Sequence, residues 1–327
     1  MASFRLRGTR WQARVQRNGF PAEVRSFITR QDAEKWARSI EVEMDRGLYI
    51  SSSEAQKTTM ADLIDRYCRE VLPTMKGEKE DRIRLTAIRR HKICCLPLTK
   101  LTPSVLGKYR DERLRQVSSG TVIREFAYFS SIINLARREW GISMENPVSK
   151  VRKPVSPQGR NRILNQSERD ALFLAVKPEG RRSPWLEPIV IFALETGMRR
   201  SEILSLKWKD MDLDSRMATL ETTKNGDRRV VPLSLKAVGL LQGLPRHISG
   251  QVFPMSSCAV AASFNRATAR AGIKNFRFHD LRHTAITQLA ARLPNLIELA
   301  AVTGHKSLKM LQRYYHPRPE DLAMKLG

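Results

Sequence analysis

ATLETTKNGDRRVVPL, residues 218–233, carries the one clear β signal in the second half of a chain that otherwise reads there as helix. Two strand-like runs flank Asn225-Gly226, a dipeptide suited to a tight hairpin because both residues tolerate positive φ. Upstream, Asn165-x-x-Glu168 has the form of a capping box, which predicts a helix start there. That start opens a mostly helical domain over residues 163–327. A hairpin set among helices makes the domain α+β, mainly α with small β elements.

Immediately before it, KVRKPVSPQGRNR (150–162) holds five basic residues, two prolines and no acid. This composition predicts an exposed linker, and a basic linker can lie along a phosphate backbone through Arg152, Lys153, Arg160 and Arg162. Residues 57–149 show helical periodicity throughout, near 60–72, 78–92, 103–116 and 121–140. Thr102-Pro103 is an N-cap followed by proline at the first helical position, and Gly141 closes the last helix. An all-α domain follows from this pattern.

The first 50 residues differ. Residues 1–30 contain seven arginines, among them Arg5, Arg7 and Arg14, against one acid, Glu23. Trp11, Ala13 and Val15 alternate, Asn18-Gly19 signals a hairpin, and Val24 to Ile28 supply a returning strand. Thr29 is placed to cap a helix whose Ala33, Trp36, Ala37, Ile40 and Met44 share one face, with Gly47 at its end. Residues 1–50 therefore read as a small basic module of sheet plus helix. A solvated basic edge without a partner is the plainer reading of its charge.

The whole chain has 327 residues, 41% of them hydrophobic, and its 58 Lys+Arg against 33 Asp+Glu give a formal charge of +25. Such an excess favours a polyanionic partner, since each cation placed on a nucleic-acid backbone releases a condensed counterion. No apolar run reaches the length of a membrane span, and no signal peptide or lipidation motif is present, so nucleic acid is favoured over membrane. The cysteines Cys68, Cys94, Cys95 and Cys258 lack the spacing of zinc or redox sites and read as reduced thiols of a cytosolic protein.

Single polar residues of the last domain have ordinary explanations. Arg199, in ETGMRRSEI, can be a helical surface arginine paired with Glu202 three residues on. His279 and Arg282, in FHDLRHT, can be a satisfied histidine and a solvated arginine on one helical face. His305, in TGHKS, follows a glycine that suits a turn, and Tyr314, in LQRYYHP, can be packing. Their order and spacing say more.

TGMRRSEILSLKWKDMDL with Arg199, TKNGDRRVVPL with Lys224, HDLRHT with His279 and Arg282, Gly304-His305, and RYYH with Tyr314 nine residues beyond His305 together resemble the tyrosine recombinase (phage integrase) family over the whole last domain. Residues 57–149 look like that family's helical core-binding domain, down to its Asn146-Pro147. The first 50 residues are similar to its small arm-binding module. The resemblance implies a site-specific recombinase that cleaves and rejoins double-stranded DNA through a 3′-phosphotyrosine. It further implies a homotetramer on two synapsed core sites, separate arm sites, accessory DNA-bending proteins, and action on the nucleoid in the cytoplasm of a bacterial host.

The chemistry explains the residue types. Cleaving a phosphodiester without a metal requires fixed positive charge on a pentacoordinate phosphorane, and arginine stays charged while offering a forked donor set. Arg199 and Arg282 would supply it. His305 would add a donor, and His279 would orient the phosphate or handle the tyrosine proton. Tyr314 can attack and later leave, its reference pKa being about 10. Lys224 would protonate the departing 5′-oxygen, or merely grip phosphate; Glu202 would hold a site arginine in place. One phosphoester is exchanged for another, so neither ATP nor any cofactor or metal is demanded, and the chain has no GxxxxGK[ST] loop. A type IB topoisomerase and a DNA-binding regulator without activity are the alternatives; retention of all six polar residues speaks against the second.

Overall fold

Residues 2–18, 20, 22–45, 53–142, 144–221, 228–314, 323, 324 and 326 are described in the computed structural model, which divides into two units, Met1–Gln158 and Gly159–Gly327. The chain is α+β. No helix among the described residues is long and apolar enough to cross a membrane.

The basic N-terminus forms an antiparallel sheet of β1 (Ala2–Arg7), β2 (Arg10–Val15) and β3 (Glu23–Phe27), backed by α1 (Arg30–Asp45). Alternation decides its faces. Phe4, Val15, Ala37, Met44, Trp36 and Ile40 pack together on the inner side. The register pairs Ser3 with Arg14, Arg5 with Gln12, Arg7 with Arg10, and Gln12 with Ser26, so Arg5, Arg7, Arg10 and Arg14 stand on the opposite face. Thr29 caps α1, its Oγ1 accepting from the Asp32 amide at 3.1 Å. Strand β1 is not singled out in the sequence reading, although Ala2, Phe4 and Leu6 alternate there with Ser3, Arg5 and Arg7; Gly19 and Gly47 lie outside the described residues.

Further along come α2 (Ser53–Lys57), α3 (Met60–Glu70), α4 (Glu78–Arg89), α5 (Pro103–Leu114) and α6 (Ser119–Glu139). Thr59 and Asp62 form a capping box at α3, and Thr102 caps α5 just before Pro103. Phe126, Phe129, Leu85, Leu106 and Ile132 are fully buried between the helices. Each such side chain contributes about 2 kcal/mol relative to exposure. Asn146 is nearly buried and satisfies itself locally: its Nδ2 donates to Ser130 Oγ at 2.8 Å and Asn134 Oδ1 at 3.0 Å, while its Oδ1 caps the 3-10 turn Pro147–Lys150.

The second unit begins with α7 (Gln166–Val176), opened by the Asn165/Glu168 capping box. It continues through α8 (Leu186–Thr196), α9 (Arg200–Ser205), the sheet β4 (Met211–Asp212), β5 (Met217–Leu220) and β6 (Arg229–Pro232), then α10 (Leu235–Gln242), α11 (Ser257–Arg270), α12 (Asp280–Arg292) and α13 (Leu296–Thr303). In the antiparallel sheet Ala218 faces Val231, both fully buried over a core that contains Phe192, Phe253 and Phe264. The two-residue β4 was too short to leave a pattern in the sequence. A separate cluster of Ile286, Ala290, Leu299 and Leu311 carries the 3-10 turn Gln312–Tyr314 against α12 and α13. That seat positions the site.

Candidate active site

Gly197 ends α8 at φ 60°, a left-handed conformation that glycine adopts without strain. The chain turns there and buries Met198. Arg199 consequently has an extended backbone at the N-cap of α9, unlike the helical surface arginine of its ordinary reading. Its amide donates to Glu202 Oε2 at 2.9 Å and its Nη1 to Glu202 Oε1 at 2.7 Å. Glu202, 3% exposed, also receives Arg229 Nη2 at 3.0 Å. Burial alone would raise its pKa. The Arg199 amide and guanidinium, with the Arg229 charge, outweigh burial and hold the carboxyl below its usual range.

Arg282 on α12 is 4% exposed and spans two segments. Its Nη1 donates to the Gly197 carbonyl at 2.6 Å and its Nη2 to the Thr303 carbonyl at 2.7 Å. Burial first, then the nearby charges of Arg199 and Arg229, lower its pKa to about 10, which leaves it charged at neutral pH. His305 Nε2 stands 3.4 Å from Arg282 Nη2. Gly304, at φ 69°, closes α13, and a Cβ there would overlap the Arg229 guanidinium. The glycine therefore lets Arg229 reach the Val302 carbonyl at 3.0 Å. Burial and the positive charge of Arg282, Arg199 and Arg229 depress the His305 pKa to about 4. Three guanidiniums, Arg199, Arg229 and Arg282, thus surround one carboxylate and one neutral imidazole, a ready site for an anion.

Tyr314 is half-buried beside this cluster. Burial raises its pKa, opposed by the charges of Arg313 and Arg282. Its hydroxyl meets His283 Nδ1, and the Arg313 guanidinium lies over its ring, 5.2 Å from the centroid. Arg313 in turn donates to the Arg160 carbonyl and Asn161 Oδ1. Tyr314 and Arg199 come from segments more than 100 residues apart in sequence, joined by α8, α12 and α13.

His279, just before α12, is exposed and lines an open cleft of about 540 Å³ with Arg199, Arg200 and Arg277. Its ring meets His283 edge-on at 5.5 Å. Lys224, with Asn225-Gly226, lies outside the described residues. Arg5, Arg7 and Arg14 stand together on the exposed face of the N-terminal sheet. Arg152 and Lys153 are exposed. Arg160 instead clamps Asp280 at 2.8 Å and Asn275 at 3.0 Å, and Arg162 holds Glu168 and stacks on Phe276. These last two guanidiniums are committed within their own unit.

Sequence reasoning passed over Arg229, Thr303 and His283. Arg229 sits three positions beyond the expected Asn225-Gly226 turn, at a strand start, where an arginine is ordinarily exposed. Thr303, fully buried, lies with Oγ1 2.6 Å from the Leu299 carbonyl and 2.7 Å from His305 Nδ1. His283 adjoins Arg282 and falls four residues after His279, one helical turn, which was the available signal.

Residues 162–321 match the Phage integrase family. The Shufflon-specific DNA recombinase of Escherichia coli is 37% identical over 286 residues, spanning 85% of this chain and 74% of that protein. A putative integrase/recombinase of Haemophilus influenzae is 32% identical over 328 aligned residues, 97% of this chain and 87% of that one. The lambda integrase, solved as a tetramer bound to a Holliday junction, shares the fold with a TM-score of 0.66 at 20% identity, over 96% of this chain and 94% of that one.

Proposed function

Because the chain belongs to the phage integrase family, we propose that it is a site-specific DNA recombinase in which Tyr314 attacks a DNA phosphate and holds the strand as a 3′-phosphotyrosine. One observation carries this reading: Arg199, Arg282, His305 and Tyr314, from distant segments, converge around a buried, charge-rich anion site.

The residues divide the work by chemistry. Arg282, fixed by two carbonyls, and Arg199, fixed by Glu202, face the non-bridging oxygens without reorganising during reaction, the condition under which fixed charge accelerates most. His305 donates to one of those oxygens. His279 borders the cleft through which the backbone enters and orients the phosphate. Lys224 protonates the 5′-oxygen as it leaves. The energy of the phosphodiester is retained in the tyrosyl ester, so the step requires neither metal nor ATP.

We assign residues 1–50 to arm-type DNA, 57–149 to the core site, 150–162 to a linker and 163–327 to catalysis. Arg5, Arg7 and Arg14 share one exposed sheet face, where their charges can meet DNA phosphates. The lambda integrase tetramer on a Holliday junction supports a homotetramer on two paired DNA sites, with DNA-bending proteins assisting. Denaturing the protein on DNA of its source genome and sequencing what remains covalently attached tests the reading. Discrete, repeated sites are expected for the wild type and none for Tyr314→Phe. An adduct that persists in Tyr314→Phe, or forms only on Tyr315, would refute it.

A further inference from the structure

His283 stands beside the candidate nucleophile without a task in the scheme above. It is half-buried on α12, its carbonyl accepts from Thr287 Oγ1 at 2.9 Å as an ordinary helical group, and its Nδ1 meets the Tyr314 hydroxyl. The two rings lie nearly parallel, 27° apart with centroids at 5.9 Å. Charged and titratable neighbours face it from each side: Arg313 and Tyr314 in the last 3-10 turn, His279 and Asp280 at the start of α12, Arg282 on the same helix, and His305 after α13.

Burial first, then the charges of Arg313, His279 and Arg282, against a smaller opposing effect of Asp280, lower the His283 pKa to about 4. The ring is therefore neutral at physiological pH, with one nitrogen able to accept. The Tyr314 hydroxyl is un-ionised there, since burial raises its pKa. Its hydrogen then points at Nδ1, and the His283 proton resides on Nε2. His279, exposed on the cleft wall, meets the His283 ring instead.

We propose that His283 is a catalytic residue of the proposed cleavage, accepting the Tyr314 proton as the phenolic oxygen attacks phosphorus. The inference rests on the recombinase reading and deepens it. During cleavage the Tyr314 O–H bond breaks and its proton passes to Nδ1, while a lone pair on the oxygen forms the O–P bond. The bond from phosphorus to the 5′-oxygen breaks with its electron pair, and a separate acid protonates that oxygen. On rejoining, the 5′-hydroxyl attacks and the imidazolium returns its proton to the departing tyrosine, so no net proton is consumed. The entering phosphate also offsets the charges of Arg313 and Arg282 that oppose a protonated His283.

The test measures single-turnover formation of the covalent adduct by the full chain, between about pH 5.5 and 9.5, on nicked duplexes carrying a sequence at which the wild type is trapped. The wild type should be nearly flat, because its base is already unprotonated. His283→Ala should be slower by about a hundredfold or more at neutral pH and should climb about tenfold per pH unit, since Tyr314 must then ionise to solvent. His283→Gln keeps a hydrogen-bond acceptor but takes no proton, so it should remain slow, and it reads out the role if the alanine variant folds poorly. A fluorinated tyrosine of lower pKa at position 314 should restore His283→Ala far more than Arg282→Ala. A His283→Ala profile parallel to the wild type, an equal or faster rate, recovery in His283→Gln, or no gain from the fluorinated residue would overturn the inference alone. A wild type that is trapped on no DNA overturns the recombinase reading, and this inference with it.

Discussion

Thr303 Oγ1 lies 2.7 Å from His305 Nδ1. The same hydroxyl is 2.6 Å from the Leu299 carbonyl and has a single hydrogen for both. His305 is neutral at physiological pH, its pKa depressed to about 4, so only one ring nitrogen carries hydrogen. When the hydroxyl donates to Leu299, Nδ1 must donate to it and Nε2 can only accept, as it does opposite Arg282. When the hydroxyl turns to Nδ1, Nε2 becomes a donor suited to a phosphate oxygen.

Thr303→Val removes that choice while keeping the shape of the side chain. Adduct formation should slow by about tenfold, the worth of one hydrogen bond of about 1.4 kcal/mol, and Thr303→Ser should retain most of the rate. Equal rates for valine and threonine at this position would show that His305 selects its tautomer without help.

Glu202 joins Arg199 to Arg229 from a buried position, so its removal leaves two guanidiniums with no carboxylate between them. Glu202→Gln should lower stability by about 3 kcal/mol near pH 7. Because the folded pKa is depressed, the wild-type advantage is present above the unfolded value of about 4.3 and is lost as pH falls through the folded value. Urea unfolding of both proteins from neutral to acid pH should show the gap closing. A gap independent of pH would mean that packing, and not charge, is what Glu202 contributes.

Most of the fold is legible because its signals are local. Thr102-Pro103 and Asn165/Glu168 each announce a helix within four residues, and the observed α5 and α7 start there; the Thr59/Asp62 box at α3 is a signal of the same kind that the sequence reading does not use. The helix ends expected at residues 72, 92 and 116 come two or three residues earlier, where 3-10 or irregular turns take over. The site is legible only in part. Its residue types can be recognised one motif at a time, but the Arg229–Glu202 pair spans 27 positions and the His283–Tyr314 contact spans 31. Such pairings depend on how α12, α13 and the second sheet meet. Arg160 illustrates the converse: a basic linker residue looks free in sequence, yet Asp280 lies 120 positions away to receive it.

That difference predicts how binding responds to salt. With roughly 6 to 10 phosphates neutralised, affinity for duplex DNA should fall on the order of a thousandfold or more between about 50 and 200 mM salt, measured by fluorescence anisotropy. Arg5→Ala and Arg14→Ala should each reduce the salt slope by about one. Arg160→Ala should leave the slope unchanged and lower stability instead, since its guanidinium is already held by Asp280. A shallower slope for Arg160→Ala than for the sheet variants would place that guanidinium on DNA and off the carboxylate.

Lys224 offers the sharpest test of how the leaving group departs. If its ammonium protonates the 5′-oxygen, Lys224→Ala must expel an alkoxide unaided and should be slow on ordinary DNA. Replacing the bridging 5′-oxygen with sulfur turns the leaving group into a thiolate, which departs without a proton, so Lys224→Ala should recover on that substrate. Arg282→Ala should gain much less, because its defect concerns charge on the non-bridging oxygens, which the sulfur does not touch. A lysine that only grips phosphate would behave like Arg282 in this comparison. Small and equal recovery of both variants, measured as single-turnover cleavage rates on the paired substrates, would therefore remove Lys224 from the general-acid role and leave the 5′-oxygen proton to another donor.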